Sequence, residues 1–356
     1  MNILILTSHL NPGGISRYVI TLGRGLIKQG HNVWVASTGG EWVKKLEALG
    51  IKHKIIPIKT KSICSPKILL SFLCLKKLIK QEKINVVHGN TRVTQFLSFL
   101  IYKFIRIPYL SSFHGFYRAT FFRYLFKFSG LLTIAVSQAV KRHLIDDFKI
   151  REDKIRVIYN GLDIEEFSKT KANRKDWGFP KDDYLIGILG RISQEKGHSL
   201  AVEALSRLQT KYKNIYLLIS GEGKVKKQLQ KEIDDSSLGG RVKFLNCEAG
   251  DFLDIIDLLL VPSKKEGFGY SIIEAFAKGV PVIGYKIGGI AEIIKNRQNG
   301  ILFFSYESSA LADAIEEVFS DESLRDKIVT EAKKDVLSFS DEVMAKNVEK
   351  AYLSVL

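Results

Sequence analysis

Two doubly wound α/β domains in tandem are the fold class this sequence predicts, and three observations predict it. The chain has 356 residues, a length that favours two domains of roughly 150–180 residues over one. Short apolar runs alternate with helix-spaced patterns along most of it, as a series of βαβ units does. A polar stretch at 168–182 (SKTKANRKDWGFPKD), with Gly and Pro in it, interrupts the series, which then restarts.

Taken in order, Ile3–Leu6 reads as the first strand. Ile15, Val19, Leu22 and Leu26 have helical spacing, and Gly30 closes that helix. Asn32–Ala36 is the next strand, Glu41–Leu49 a helix ending at Gly50, and Lys54–Ile58 a strand. A helix over Pro66–Gln81, a strand at Asn85–His88 and a helix near Thr91–Phe104 follow, then strands at Tyr109–Phe113 and Leu132–Ala135. After the linker, strands are expected at Tyr184–Leu189, Ile215–Ser220, Val242–Leu245, Leu258–Val261 and Val282–Tyr285. Helices are expected at Ser199–Gln209, Val225–Ile233 and Ser271–Lys278, and through most of 307–354. Such a series implies parallel sheets with helices on both faces, ligands at the carboxyl ends of the strands and a cleft between the two domains.

Composition narrows the class. At 46% hydrophobic and 26% charged the chain is globular, not disordered. Cys64, Cys74 and Cys247 are scattered, with no CxxC, which speaks against a disulfide scaffold or a cysteine zinc site and suits a reducing cytoplasm. MNILILTSHL lacks a basic leader and a small-residue cleavage site, so a strand is expected there, not a signal peptide. No run of 18 uncharged apolar residues occurs; the nearest, 93–132, is broken by Lys103, Arg106, Arg118, Arg123 and Lys127. The net charge of +16 is uneven. Residues 1–166 hold 26 basic and 10 acidic side chains, and residues 167–356 hold 28 of each.

Four segments carry chemistry. Thr7-Ser8-His9-Leu10-Asn11-Pro12-Gly13-Gly14 joins the first strand to the first helix, where adjacent glycines and a helix N-terminus favour an anion; a tight turn without a ligand is the plainer reading. It is not GxGxxG, so the dinucleotide fingerprint fails. Gly190-Arg191-Ile192-Ser193-Gln194-Glu195-Lys196-Gly197 follows a strand directly. Arg191 and Lys196 there suit a diphosphate, or are two solvated cations. The segment Pro262–Ala275 (PSKKEGFGYSIIEA) places Glu266 before a Gly267-Phe268-Gly269 loop and Glu274 eight residues on, in the next helix. The loop amides suit phosphate oxygens and the two carboxylates suit sugar hydroxyls; Ser271-x-x-Glu274 is equally a capping box. His114, at the end of a strand, reads as an acid, a base or a hydrogen-bond donor, or as a polar strand end. The other histidines have no metal-site spacing, and Asp-x-Asp is absent, so no metal or cofactor is expected and cations must stabilise any leaving diphosphate.

Together these segments resemble the family 4 glycosyltransferases. The likeness runs through Pro12-Gly13-Gly14-Ile15, Gly30-His31-Asn32-Val33, Asn85-Val86-Val87-His88, Phe113-His114-Gly115, Val136-Ser137 and Tyr159-Asn160-Gly161-Leu162-Asp163. It continues through Gly190-Arg191, Glu195-Lys196-Gly197, Ser220-Gly221-Glu222-Gly223, Glu266 to Glu274, Gly288-Gly289 and Asn299-Gly300, and so covers nearly the whole chain. The resemblance implies the GT-B fold, two facing Rossmann-like domains with a cleft between them. It implies domains at 1–166 plus a returning helix at about 339–356 (acceptor side) and at 167–338 (donor side). It also implies a retaining transfer from a nucleotide-sugar. By position, Arg191 and Lys196 match the diphosphate clamp and Gly14 the glycine near the β-phosphate. Glu274 matches the ribose glutamate, Glu266 the one that faces the donor sugar, and His114 the histidine beside the reacting centre. Tyr270 and Ser271, with Gly267, Phe268 and Gly269, match the backbone phosphate contacts. One departure, Asn246-Cys247-Glu248 where the family usually has Gly, falls near the expected base contacts.

The resemblance also gives the charge asymmetry a target. The acceptor side is the basic half. Pro66–Lys83 pairs an apolar stripe with Lys76, Lys77 and Lys80, and Phe116–Phe128 interleaves seven aromatics with Arg118, Arg123 and Lys127; core-packed helices are the plainer reading of both. Basic and aromatic surface suits an anionic bilayer. The expected partners are a nucleotide-sugar, a glycan or glycolipid acceptor and an anionic membrane face, with the protein peripheral on the inner leaflet of the cytoplasmic membrane. No nucleic-acid-binding pattern occurs. A sugar phosphorylase, a UDP-sugar epimerase and an inactive sugar-nucleotide-binding subunit are the alternatives.

Overall fold

The computed structural model describes every residue except 61, 64, 121–125, 170 and 237. The chain divides into two units. The first is Met1–Gly161 with Phe339–Leu356, and the second is Leu162–Ser338.

The first unit is built on seven strands: β1 (Asn2–Leu6), β2 (Asn32–Ser37), β3 (Lys52–Ile55), β4 (Val86–Gly89), β5 (Tyr109–Phe113), β6 (Leu132–Ala135) and β7 (Ile155–Val157). Their order is β3-β2-β1-β4-β5-β6-β7, and every pairing is parallel. The central strands β1, β4, β5 and β6 are short and almost wholly buried because helices cover both faces of a parallel sheet, whereas the edge strand β3 (KHKI) is largely exposed. Chain order reverses between β1 and β4, so the crevice for a ligand opens at their carboxyl ends. β3 starts two residues earlier than the apolar run suggests. Pro57 has no N–H to give the ladder, so the strand stops at Ile55, and Ile56 and Ile58 turn into the core instead. The sequence gives no clear sign of β7, three residues among charges, or of the helix Gln138–Asp146 before it.

The helix Asp341–Leu353 closes the first unit against the helix Gly14–Lys28. The two backbones approach so closely that a Cβ on Gly25 would lie 2.7 Å from the Asp341 carbonyl oxygen. Arg24 and Lys28 pair with the buried carboxylate of Asp341 at 3.2 and 3.5 Å. Counted over its own residues, this unit holds 28 Lys and Arg against 10 Asp and Glu, a net +18, and the second holds 26 against 28.

The second unit has six parallel strands, β8 (Tyr184–Leu189), β9 (Ile215–Ser220), β10 (Val242–Leu245), β11 (Leu258–Val261), β12 (Val282–Tyr285) and β13 (Ile301–Phe303), ordered β10-β9-β8-β11-β12-β13. Its switch point lies between β8 and β11. The presumed linker is packed structure. Arg174, in a short 3-10 turn, donates to the carbonyls of Ile255 and Asp183 and pairs with Asp257 at 2.7 Å. Asp257 in turn accepts from the amide of Leu185, which fixes the start of β8. Apolar residues of β8, β9 and β11 pack with the helices His198–Leu208 and Ser308–Ser320 in one continuous core.

Candidate active site

In the second unit, the loops after β8 and β11 meet at the switch point. β8 runs into Gly190, whose amide bonds the Ser220 carbonyl at 2.9 Å, and Ile192 bonds the Glu222 carbonyl at 3.0 Å. The loop is thus fixed on its neighbour by backbone alone. The turn ends at Gly197, in the left-handed region (φ 74°, ψ 25°), where a Cβ would lie 2.1 Å from the Pro262 carbonyl oxygen. Only glycine allows that approach. The Lys264 amide donates to the Glu195 carbonyl at 2.8 Å and locks the two loops together.

That lock brings Lys196 to Glu266, 70 residues later, and the two form an ion pair. The Ser263 hydroxyl lies 3.5 Å from the same carboxylate oxygen. Arg191 is exposed on the same turn. The glycine loop then enters the helix Tyr270–Lys278 with Gly269 (φ 108°) as its N-cap, no side-chain cap and no acid in its first turn. Its first amides and the positive end of its dipole are therefore available to an anion. Ser271 lies inside this helix and does not cap it, so the capping-box reading of Ser271 and Glu274 fails. Glu274 is buried at 2% exposure on the second turn. A third loop, after β12, braces the glycine loop: Gly289 donates to the Glu266 carbonyl at 3.0 Å, and a Cβ on it would lie 2.5 Å from Phe268 Cα. Lys196 is thereby joined to the segment that carries Glu266, Gly267, Phe268, Gly269, Tyr270, Ser271 and Glu274.

The first unit holds the remaining residues. Gly14 opens the first helix, which has no side-chain cap. The loop before it is tied down where Leu10 donates to the Gly39 carbonyl at 2.9 Å and Trp42 to the Leu10 carbonyl at 2.9 Å. His114 leaves β5 with its Nε2 3.0 Å from Asn90 Oδ1. The Asn90 amide nitrogen donates to the carbonyls of Leu6 and His88, which fixes its oxygen toward the histidine. Oδ1 only accepts, so Nε2 carries the proton and Nδ1 is left as an acceptor. Burial pushes the His114 pKa down to about 3. The ring is therefore neutral near pH 7. Asn90 was missed in the sequence; its one signal is its place at the carboxyl end of β4.

Behind His114 lies a buried chain. His88 bonds Tyr352 and Ser112, both at 2.7 Å, Ser112 lies 3.1 Å from the Tyr18 hydroxyl, and the Tyr18 ring meets the His114 ring edge-on at 4.6 Å. Burial also holds the His88 pKa at about 3.

Residues 169–335 match the model of the glycosyl transferases group 1, and residues 12–166 match that of glycosyltransferase family 4. The chain is a family 4 glycosyltransferase. An uncharacterized glycosyltransferase of Methanocaldococcus jannaschii is 28% identical, covering 99% of this chain and 98% of its own. The capsular polysaccharide biosynthesis glycosyltransferase CapM of Staphylococcus aureus is 27% identical over 95% and 94%. Among solved structures, a glycosyltransferase from Rickettsia africae superposes with a TM-score of 0.87 at 26% identity, covering 99% and 98%. Anabaena HepE, solved with UDP and glucose, does so with 0.86 at 24% over 99% of each chain. The fold of this glycosyltransferase is GT-B, built from two Rossmann-like parallel-sheet units.

The positions assigned to the acceptor side vary in setting. Lys76, Lys77 and Lys80 are exposed on the helix Pro66–Gln81. That helix also exposes Leu69, Leu70 and Leu73 at 53–62%, beside Phe104 at 71%. Two of these, Leu69 and Phe104, line an apolar groove of about 450 Å³ together with Ile68, Phe72, Phe96 and Leu100. Arg118 is exposed, the Lys127 ammonium donates to the Lys149 carbonyl at 3.1 Å, and Arg123 lies outside the described residues. Residues 116–120 and 126–129 are irregular, not helical. Among the described residues, no helix is long and apolar enough to cross a membrane.

Proposed function

We propose that this glycosyltransferase moves a hexose-type sugar, with retention, from a UDP-sugar to a lipid-linked or cell-surface glycan at an anionic membrane face. The observation that carries the donor half is the pairing of Lys196 with Glu266 beside an uncapped glycine-loop helix. A diphosphate draws Lys196 and the helix amides, and a Glu266 relieved of its ion pair accepts hydrogen bonds from sugar hydroxyls. Glu274 holds the ribose hydroxyls. The bond from the anomeric carbon to the diphosphate oxygen breaks while the acceptor oxygen bonds the same face, and the acceptor proton passes to the leaving diphosphate. Arg191, Lys196 and the helix dipole take up its charge, so the step runs without a metal ion. Neutral His114 accepts a hydrogen bond at Nδ1 from a sugar hydroxyl. A covalent sugar adduct on Glu266 in a mass spectrum would overturn the front-face course.

The capsule relative and HepE's UDP and glucose support the choice of donor and glycan acceptor. Support for the membrane half comes from the +18 first unit and from exposed Leu69, Leu70, Leu73 and Phe104 among lysines, a combination that suits insertion into an anionic surface. Incubation with a panel of nucleotide-sugars, with and without inorganic phosphate and membrane lipid extract, tests it. UDP release that needs the extract supports the reading. Release that needs phosphate indicates a phosphorylase, an epimerised donor indicates an epimerase, and no turnover indicates a non-catalytic subunit.

A further inference from the structure

The second unit has a cavity of about 460 Å³ that shares Ser193, Gln194, Gly197 and Lys264 with the donor loops but is not lined by Arg191, Lys196, Glu266 or Glu274. It lies between the starts of two helices, His198–Leu208 and Lys226–Asp234. His198 and Glu203 come from the first, Gln228 and Glu232 from the second, and Lys264 and Tyr306 from the loops after β11 and β13.

His198 is the telling residue. It is 4% exposed and lines the cavity, yet neither ring nitrogen makes a hydrogen bond. The Ser193 backbone, beside the ring, can engage at most one of the two nitrogens. A buried polar group left in that state is costly, and such groups mark a place for a ligand or a water. Burial and the nearby Lys196 push its pKa down to about 4. The ring is then neutral, with one nitrogen that donates and one that accepts, which is the complement of a hydroxyl. Glu232 accepts from the Ser199 hydroxyl at 2.6 Å and from the Gln228 side-chain amide at 3.1 Å, and its carboxylate keeps one lone pair on each oxygen for a further donor. The Lys264 ammonium sits 4.6 Å over the Tyr306 ring. Two carboxylates against one ammonium disfavour a phosphate. Val225 and Leu229 add an apolar wall for the C–H face of a sugar ring. The volume falls within the usual range for small-molecule sites.

We infer that this cavity is a second carbohydrate site, which takes a pyranose unit of a neutral glycan. The choice of a glycan rests on the proposed sugar transfer. Ser193, Gln194 and Gly197 form part of the cavity wall, so an occupant touches the turn that carries Lys196.

Saturation-transfer NMR on the full chain tests it, with N-acetylglucosamine, methyl α-glucoside and maltose as probes and glucose 6-phosphate as the charged comparison, each with and without excess UDP. Because binding is read directly, failure of the proposed sugar transfer leaves this result standing. At least one neutral probe is expected to give a signal that UDP does not displace and that exceeds that of glucose 6-phosphate. A Gln228→Ala/Glu232→Gln variant, on the surface and outside the core, should weaken it at least fivefold, and His198→Phe, which fills the cavity, should abolish it. No signal from any neutral probe, as a cavity holding only water gives, overturns the inference. So does full displacement by UDP, a stronger signal from glucose 6-phosphate, or an unchanged signal in the Gln228→Ala/Glu232→Gln variant, which decides the matter should His198→Phe fail to fold.

Discussion

Replacing Gly197 by alanine isolates what fixes the Lys196 turn. Gly197 and Gly178 have nearly the same backbone, φ 74°, ψ 25° and φ 75°, ψ 23°. A Cβ at Gly178 meets nothing within 4 Å, whereas one at Gly197 lies 2.1 Å from the Pro262 carbonyl oxygen and 2.7 Å from the Tyr306 hydroxyl. Both substitutions carry the left-handed penalty of about 1–2 kcal/mol. Only Gly197→Ala adds an overpacking cost, about 1–3 kcal/mol, because the obstacle is backbone carbonyl and cannot swing away. The second unit runs from Leu162 to Ser338, a size at which 1 kcal/mol moves Tm by about 2–4 °C. Gly178→Ala should therefore lower Tm by a few degrees, and Gly197→Ala by a further 2–12 °C or so. Scanning calorimetry of the two variants and wild type reads this directly. Equal melting temperatures for the two variants would refute the close approach of the two loops.

Acidification is expected to destabilise the first unit. The His88 pKa is about 3 folded and 6.5 in the open chain, so below pH 6.5 the unfolded state binds a proton that the native state does not. Stability is full above pH 6.5 and falls as pH drops toward 3; at pH 5 His88 alone accounts for about 2 kcal/mol. Urea midpoints at pH 7 and 5 check this, and equal midpoints would count against a buried neutral His88. Ala at Lys76, Lys77 and Lys80 together should weaken binding to anionic vesicles by about 3 kcal/mol, roughly a hundredfold, in a flotation assay at low salt; no loss, or no binding by wild type, would contradict membrane docking. Asn90→Ala should free the His114 ring, and its nitrogen-15 shifts should then show mixed tautomers in place of the single Nε2–H form.

Much of the fold was legible because parallel strands are apolar on both faces. The runs YLIGIL, IYLLIS and LLLV stand out from any neighbouring helix, and β8, β9 and β11 lie where they predict. The three-residue strands β7 and β13 carry too little pattern to register, and the helix Ala249–Ile255 lies in a region where the sequence offers no clean period. The donor segment was legible because chemistry there depends on residue type at fixed spacing. What was not legible is what long-range packing decides. Asn90 sets the His114 tautomer across 24 residues, and Tyr352 reaches His88 across 264. Local pattern also misled once: Ser271-x-x-Glu274 has capping-box spacing, but Gly269 enters the helix two residues earlier.

The central claim is that Lys196 and Glu274 serve a nucleotide-sugar in the second unit. Rates of UDP release from the preferred donor, with membrane extract as acceptor, test it most directly in wild type, Lys196→Ala and Glu274→Ala. Each variant is predicted to lose at least about tenfold, or about 1.4 kcal/mol in the barrier. Near-normal turnover in either would contradict the assignment.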